Sequence, residues 1–105
     1  MADIFITPAA ESDLVNIWCY IARDNSEAAD RVYQAAEDTF KALAAMPRMG
    51  TVYQSRRARL DGVRFFPISN FHSYVIYYRE HPQGVEIIRV LHGHMDRKKR
   101  LEPEK

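Results

Sequence analysis

The chain has 105 residues, 47% of them hydrophobic and 11% aromatic, a composition that builds one cored domain and excludes a disordered chain. Its formal net charge of +1 sums two opposed halves: residues 1–47 carry three basic against eight acidic side chains, and residues 48–105 carry twelve against six. Either the halves attract each other or the second offers a basic surface to an acidic partner. Cys19 stands alone and cannot close an internal disulfide, no charged-then-apolar leader precedes Ile4, and no apolar run approaches a membrane span. The expected location is a reducing cytoplasm, away from membranes.

Asp3 to Thr7 reads as a short strand. Thr7-Pro8 then has the character of an N-cap followed by a first helical residue, because proline has no N–H to lose there. Ala10, Leu14, Ile17, Trp18 and Ile21 form one apolar helical stripe beside which Cys19 is expected to be an inert, at least half-buried thiol. Asp24, Asn25 and Ser26 end this helix, and any of the three can cap the next. Ala29, Val32, Tyr33, Ala36, Phe40, Leu43 and Ala44 make a second stripe, stopped by Met46-Pro47. So short a link predicts an antiparallel helical hairpin, with Trp18 and Phe40 in its core.

Periodicity disappears from Arg48 to Gly62. Val63 to Ile68 is a strand whose Pro67 favours an edge or an end position, since it cannot donate to a ladder. Ser69-Asn70 turns the chain into a strand over Tyr74 to Glu80, and His81-Pro82-Gln83-Gly84 leads to a last strand, Val85 to His92. Strict alternation would put Ile87 and Leu91 on one face of that last strand and Ile88 and Val90 on the other. A strand apolar on both faces is central and covered twice. One cover is the helical hairpin, and the other is the C-terminal tail or a partner. The predicted class is therefore α+β in two layers, with an N-terminal strand, a helical hairpin and a three-stranded antiparallel meander in a single domain over residues 1–105.

Motifs for chemistry are sparse. His92-x-His94 has close ligand spacing, but Asp96 is the only other ligand type nearby, so no metal is expected. Ser55, Ser69 and Ser73 lie in turn contexts without an acid and base pair, and four scattered glycines make no phosphate loop. Basic residues Arg56, Arg57, Arg59 and Arg64 and the run from Arg97 to Arg100 could meet phosphates. The aromatics that would stack bases, Tyr53, Phe65, Phe66, Phe71 and Tyr74, fall mostly where the sheet needs core, which weakens a direct nucleic-acid reading.

Five segments in order carry a resemblance: Thr7-Pro8-Ala9-Ala10-Glu11-x-Asp13-Leu14-x-x-Ile17-x-x-Tyr20-Ile21, Pro47-x-x-Gly50, Gly62-x-Arg64, Tyr74-x-Ile76-x-Tyr78 and Ile88-x-Val90-Leu91-His92-Gly93-x-x-Asp96. Together they resemble the RelE/ParE superfamily of type II toxins over nearly the whole chain. RelE-like members cut mRNA in the ribosome with Lys and Arg side chains on the strands. ParE-like members share the fold, lack that constellation and are known for poisoning DNA gyrase. The RelE-like pattern wants basic residues near Phe65 and Pro67, an Arg near Val75 and another near Met95, and this sequence has none at those places. Metal-free phosphoryl transfer needs cations converging on the phosphate. The resemblance therefore implies the ParE-like branch, with no catalytic residues and no cofactor.

Its implied partners are a cognate antitoxin, with which it would form a hetero-oligomer, and DNA gyrase. The surface expected to meet the target is His92, His94, Arg97, Lys98, Lys99 and Arg100, a cationic end beside the central strand. That expected to meet an acidic, amphipathic antitoxin segment is Arg64, Arg79, Ile88, Arg89 and Val90. The alternatives are a ribosome-dependent ribonuclease with a shifted basic site of Arg89, Arg97 and His94, or a decayed toxin that only binds an antitoxin.

Overall fold

A computed structural model of the chain describes residues 2–93 and 97–101. Strand β1 (Asp3–Ile6) leads into helices α1 (Pro8–Ala22) and α2 (Ser26–Ala45), and strands β2 (Thr51–Val52), β3 (Val63–Ile68), β4 (Phe71–His81) and β5 (Gly84–His92) precede a single helical turn, α3 (Arg97–Leu101). Among the described residues the strands form one sheet in the order β1-β5-β4-β3-β2. The last three long strands are the expected antiparallel meander, and β1 adds itself parallel to β5 with Ile4 opposite Val85. Gly84 makes this approach possible: a Cβ there would lie 1.8 Å from the Asp3 carbonyl oxygen.

Caps decide the helix starts. Thr7 Oγ1 accepts from Ala10 N with Pro8 at the first position of α1, and of the three candidates for α2 it is Asn25 whose side chain caps, accepting from Ala28 N. The helical hairpin packs Ala10, Leu14 and Ile17 of α1 and Val32, Ala36, Phe40 and Leu43 of α2 onto Ile68, Ile76, Tyr78, Val85, Ile87 and Val90 of the sheet. Two expectations about α1 are corrected. Trp18 is only half-buried, because its indole lies over the hairpin and donates Nε1–H to Asp30 Oδ1 at 2.8 Å. Cys19 is exposed, because it sits about 100° past Trp18 around α1, off the apolar stripe.

The alternation assigned to β5 is also corrected. Tyr78 pairs with Ile87 and Tyr77 with Arg89, so β5 carries one extra residue, Ile88, as a bulge. Side-chain parity inverts across it. Ile87 and Val90 consequently share the helix-side core, while Ile88 and Leu91 face the opposite cluster. That cluster covers the second sheet face: Val63, Tyr77 and Leu91 are buried there beneath Tyr53 and Leu60 of the β2–β3 connection and Leu101 of α3. Of the two covers considered for this face, the chain's own C-terminal turn supplies one part, and the connection without periodicity supplies the rest.

Candidate functional site

The corner where β5 outruns β1 is a polar junction of the fold. β1 pairs with β5 only as far as Ile87, leaving the remaining β5 edge without a strand. Side chains from the start of α1 take its place. Thr7 N–H donates to Ile87 O and Thr7 Oγ1 to Ile88 O, and Asp13 Oδ2 accepts from Val90 N at 3.0 Å. Asp13 also holds Arg89 in a fork, with Nε to Oδ2 at 2.7 Å and Nη2 to Oδ1 at 2.8 Å. Bidentate charge-assisted pairs of this kind are both strong and directional. The hydrogen bond to Asp13 raises the Arg89 pKa above its ordinary value, against the opposing effect of burial. Arg89 Nη1 donates onward to Arg100 O at 3.2 Å, so one guanidinium fixes α1, β5 and α3 to each other.

Above this pair lies an open cavity of about 540 Å³. Its helix wall is Asn16, Ile17 and Tyr20, its sheet wall Tyr74, Val90 and His92, and Arg100 stands at the α3 side. Tyr74 and His92 meet edge to face with ring centroids 5.0 Å apart. Burial, and secondarily Tyr20, raise the Tyr74 pKa, and both phenols line the cavity. Tyr20 itself is 67% exposed.

The expected target-facing residues divide. His92 and Arg100 line this cavity, Lys99 is exposed on α3, His94 lies outside the described residues, and so do the side chains of Arg97 and Lys98. The expected antitoxin-facing residues do not form one patch. Val90 is 1% exposed beneath α1, on the face opposite Ile88, because of the bulge. Arg64 donates to Gly50 O at 2.8 Å, and Arg79 donates to Arg59 O, each tying a loop to the sheet. Arg79 Nε is buried without a hydrogen-bond partner among the described residues.

Asp13 and Tyr20 belong to the first of the family-like segments, in which neither carries an expected role. A signal was there, since positions 13, 16, 17 and 20 follow i, i+3, i+4 and i+7 and share one helical face. At the places where the RelE-like pattern wants cations, Phe65 and Val75 pack instead into the apolar cluster of the second sheet face. Among the described residues no three His, Cys, Asp or Glu side chains gather as for a metal, and no helix is long and apolar enough to cross a membrane.

Comparison with known proteins gives a family and a fold. Residues 4–97 match the family model described as ParE toxin of type II toxin-antitoxin system, parDE. A solved structure titled "Chromosomal ParDE TA system from P. aeruginosa" superposes with a TM-score of 0.68 at 22% identity, covering 88% of this chain and 96% of that one. No curated protein matches in sequence.

Proposed function

Because this chain belongs to the ParE toxin family of type II toxin-antitoxin systems, we propose that it arrests growth by binding DNA gyrase and that a cognate antitoxin neutralises it in a hetero-oligomer. The observation that carries this reading is the second sheet face. Phe65 and Val75 lie there in an apolar cluster with Tyr53, Tyr77 and Leu91, where a metal-free ribonuclease needs converging cations. A toxin without such a site acts through the surface it presents.

The end of β5 and α3 is the target-facing surface. His92 and Arg100 stand at the cavity and Lys99 beside it, and the sequence continues the positive charge through Arg97 and Lys98. Such a patch steers an acidic protein surface, and salt weakens the steering as the Debye length contracts from about 10 Å at 0.1 M to about 3 Å at 1 M. On the antitoxin side, Arg64, Arg79 and Ile88 each remain partly exposed.

Unopposed expression stops growth, and co-expression of the neighbouring antitoxin gene restores it. Purified protein blocks gyrase supercoiling and leaves ribosome-programmed mRNA intact. Replacing Arg97, Lys98, Lys99 and Arg100 together by Ser abolishes toxicity while antitoxin binding persists. Cleavage of mRNA with unimpaired supercoiling would replace this reading by the ribonuclease one, and normal growth under verified soluble expression would refute the toxin itself.

A further inference from the structure

We infer that the cavity between α1 and the β4–β5 end is a binding site for single-stranded nucleic acid, taking one unstacked base between Tyr20 and the Tyr74–His92 pair, with the adjoining phosphate at Arg100. The gyrase reading does not require this site, since a protein target needs only an exterior surface. Three observations converge on it. First, the space is about 540 Å³, open at one side and bounded by a helix wall and a sheet wall, and small-molecule sites commonly enclose about 300 to 1,000 Å³. Second, aromatic rings come from both walls. Tyr20 projects from α1 and is 67% exposed, an arrangement that core packing does not explain, and Tyr74 and His92 form a fixed edge-to-face pair opposite. Every base has a π face, so rings placed this way hold a base without regard to its identity.

Third, the charge at the mouth is positive. Asp13 lies in the floor, but its two oxygens are spent on the Arg89 fork and Val90 N. Its charge is thus matched by Arg89, and among the described residues Arg100 adds a cation that no other acid of the cavity lining offsets. Asn16 supplies an amide that can donate to and accept from a base edge. An acidic peptide would find the cation equally attractive but would have no use for ring faces on two walls, so the aromatic arrangement favours a base. Of the aromatics that the sheet needs for core, the site uses Tyr74, which packs partly against the core, while Tyr20 on the helix wall is 67% exposed.

The test uses the full chain alone, without gyrase, so that its outcome is independent of supercoiling inhibition. A fluorescein-labelled oligothymidylate of about eight nucleotides, within the span single-strand sites cover, is titrated with the protein while anisotropy is read. Binding that weakens with salt is expected, and Tyr20→Ala and Tyr20→Leu each weaken it about tenfold or more, the scale of one base–aromatic stack. Tyr20→Phe retains it, and Arg100→Ala lowers affinity and flattens the salt dependence. The unfolding midpoint of each Tyr20 variant stays near that of the parent, because the side chain is exposed. Absence of binding, affinity within twofold of the parent in both Tyr20→Ala and Tyr20→Leu, or equal competition by poly-glutamate overturns the proposal, the last result assigning the cavity to an acidic protein segment.

Discussion

Tyr78 shows at single-residue scale why a proline and a glycine three apart matter to this fold. Its side chain is fully buried, its hydroxyl donates to Pro47 O at 2.8 Å and accepts from Gly50 N at 2.8 Å, and so a sheet tyrosine holds the chain as it leaves α2. A Cβ on Gly50 would sit 2.5 Å from that hydroxyl and 2.8 Å from Phe65 O. Gly50→Ala should therefore cost about 1 to 3 kcal/mol, as overpacking does, lowering the urea midpoint. Burial first, and the nearby Glu80 carboxylate, raise the Tyr78 pKa above its ordinary 10.0, against the opposing effects of Gly50 N–H and Arg64. The folded chain then keeps a proton that the unfolded chain releases. Stability from this group is complete below about pH 10 and falls as the pH rises further. Denaturant midpoints measured between about pH 9 and pH 11 should fall more steeply for the parent than for Tyr78→Phe. Asp13 is the other residue with several duties: Asp13→Ala strands the Arg89 guanidinium and the Val90 N–H together. A cost of about 3 kcal/mol is expected, the lower end for a buried pair because both side chains keep some exposure, and circular dichroism melts would register it.

Among the elements, those with a clear period were legible in the sequence. Thr7-Pro8 marks the start of α1, and the stripe through Phe40 places α2. Phe40→Ala, at 1% exposure, should cost about 3 to 5 kcal/mol. Half-buried Trp18 should cost distinctly less, so the two variants separate in a thermal melt. What the sequence hid was set by pairing partners rather than by local pattern. The bulge at Ile88 adds no turn residue and no glycine to the sequence, and it inverts every assignment after it, moving Val90 under α1 and Leu91 to the far face. β2 has two residues and exists only because Arg64 and Phe65 offer a ladder. β4 begins three residues earlier than its apolar run because Asn70 adopts φ 69° and closes the turn directly onto Phe71. The candidate site was legible on its β5 and α3 sides, where His92 and Arg100 are adjacent to obvious signals. Its α1 wall was signalled only by the shared helical face of positions 13, 16, 17 and 20, a spacing that does not by itself say what Asn16 and Tyr20 face.

For the molecule as a whole, the second sheet face decides how closed the domain is. A two-layer fold of this size would show it to water, yet Leu101 is 3% exposed against Tyr77 and Leu91. Leu101→Ala should cost about 2 kcal/mol or more and should raise binding of a hydrophobic dye, an outcome that measures how much of this face a five-residue turn protects.

The parallel pairing of β1 with β5 also sets a clock on synthesis. The first strand finds its partner only after roughly 80 further residues have been made, which takes about 4 to 16 s at about 5 to 20 residues per second. The helical hairpin leaves the ribosome early in that interval, with Leu14, Ile17, Phe40 and Leu43 lacking the sheet that later buries them. Asp13 likewise waits for Arg89. Harmful activity that depends on the β5 corner cannot precede the synthesis of β5, whereas anything able to recognise the naked hairpin gains those seconds.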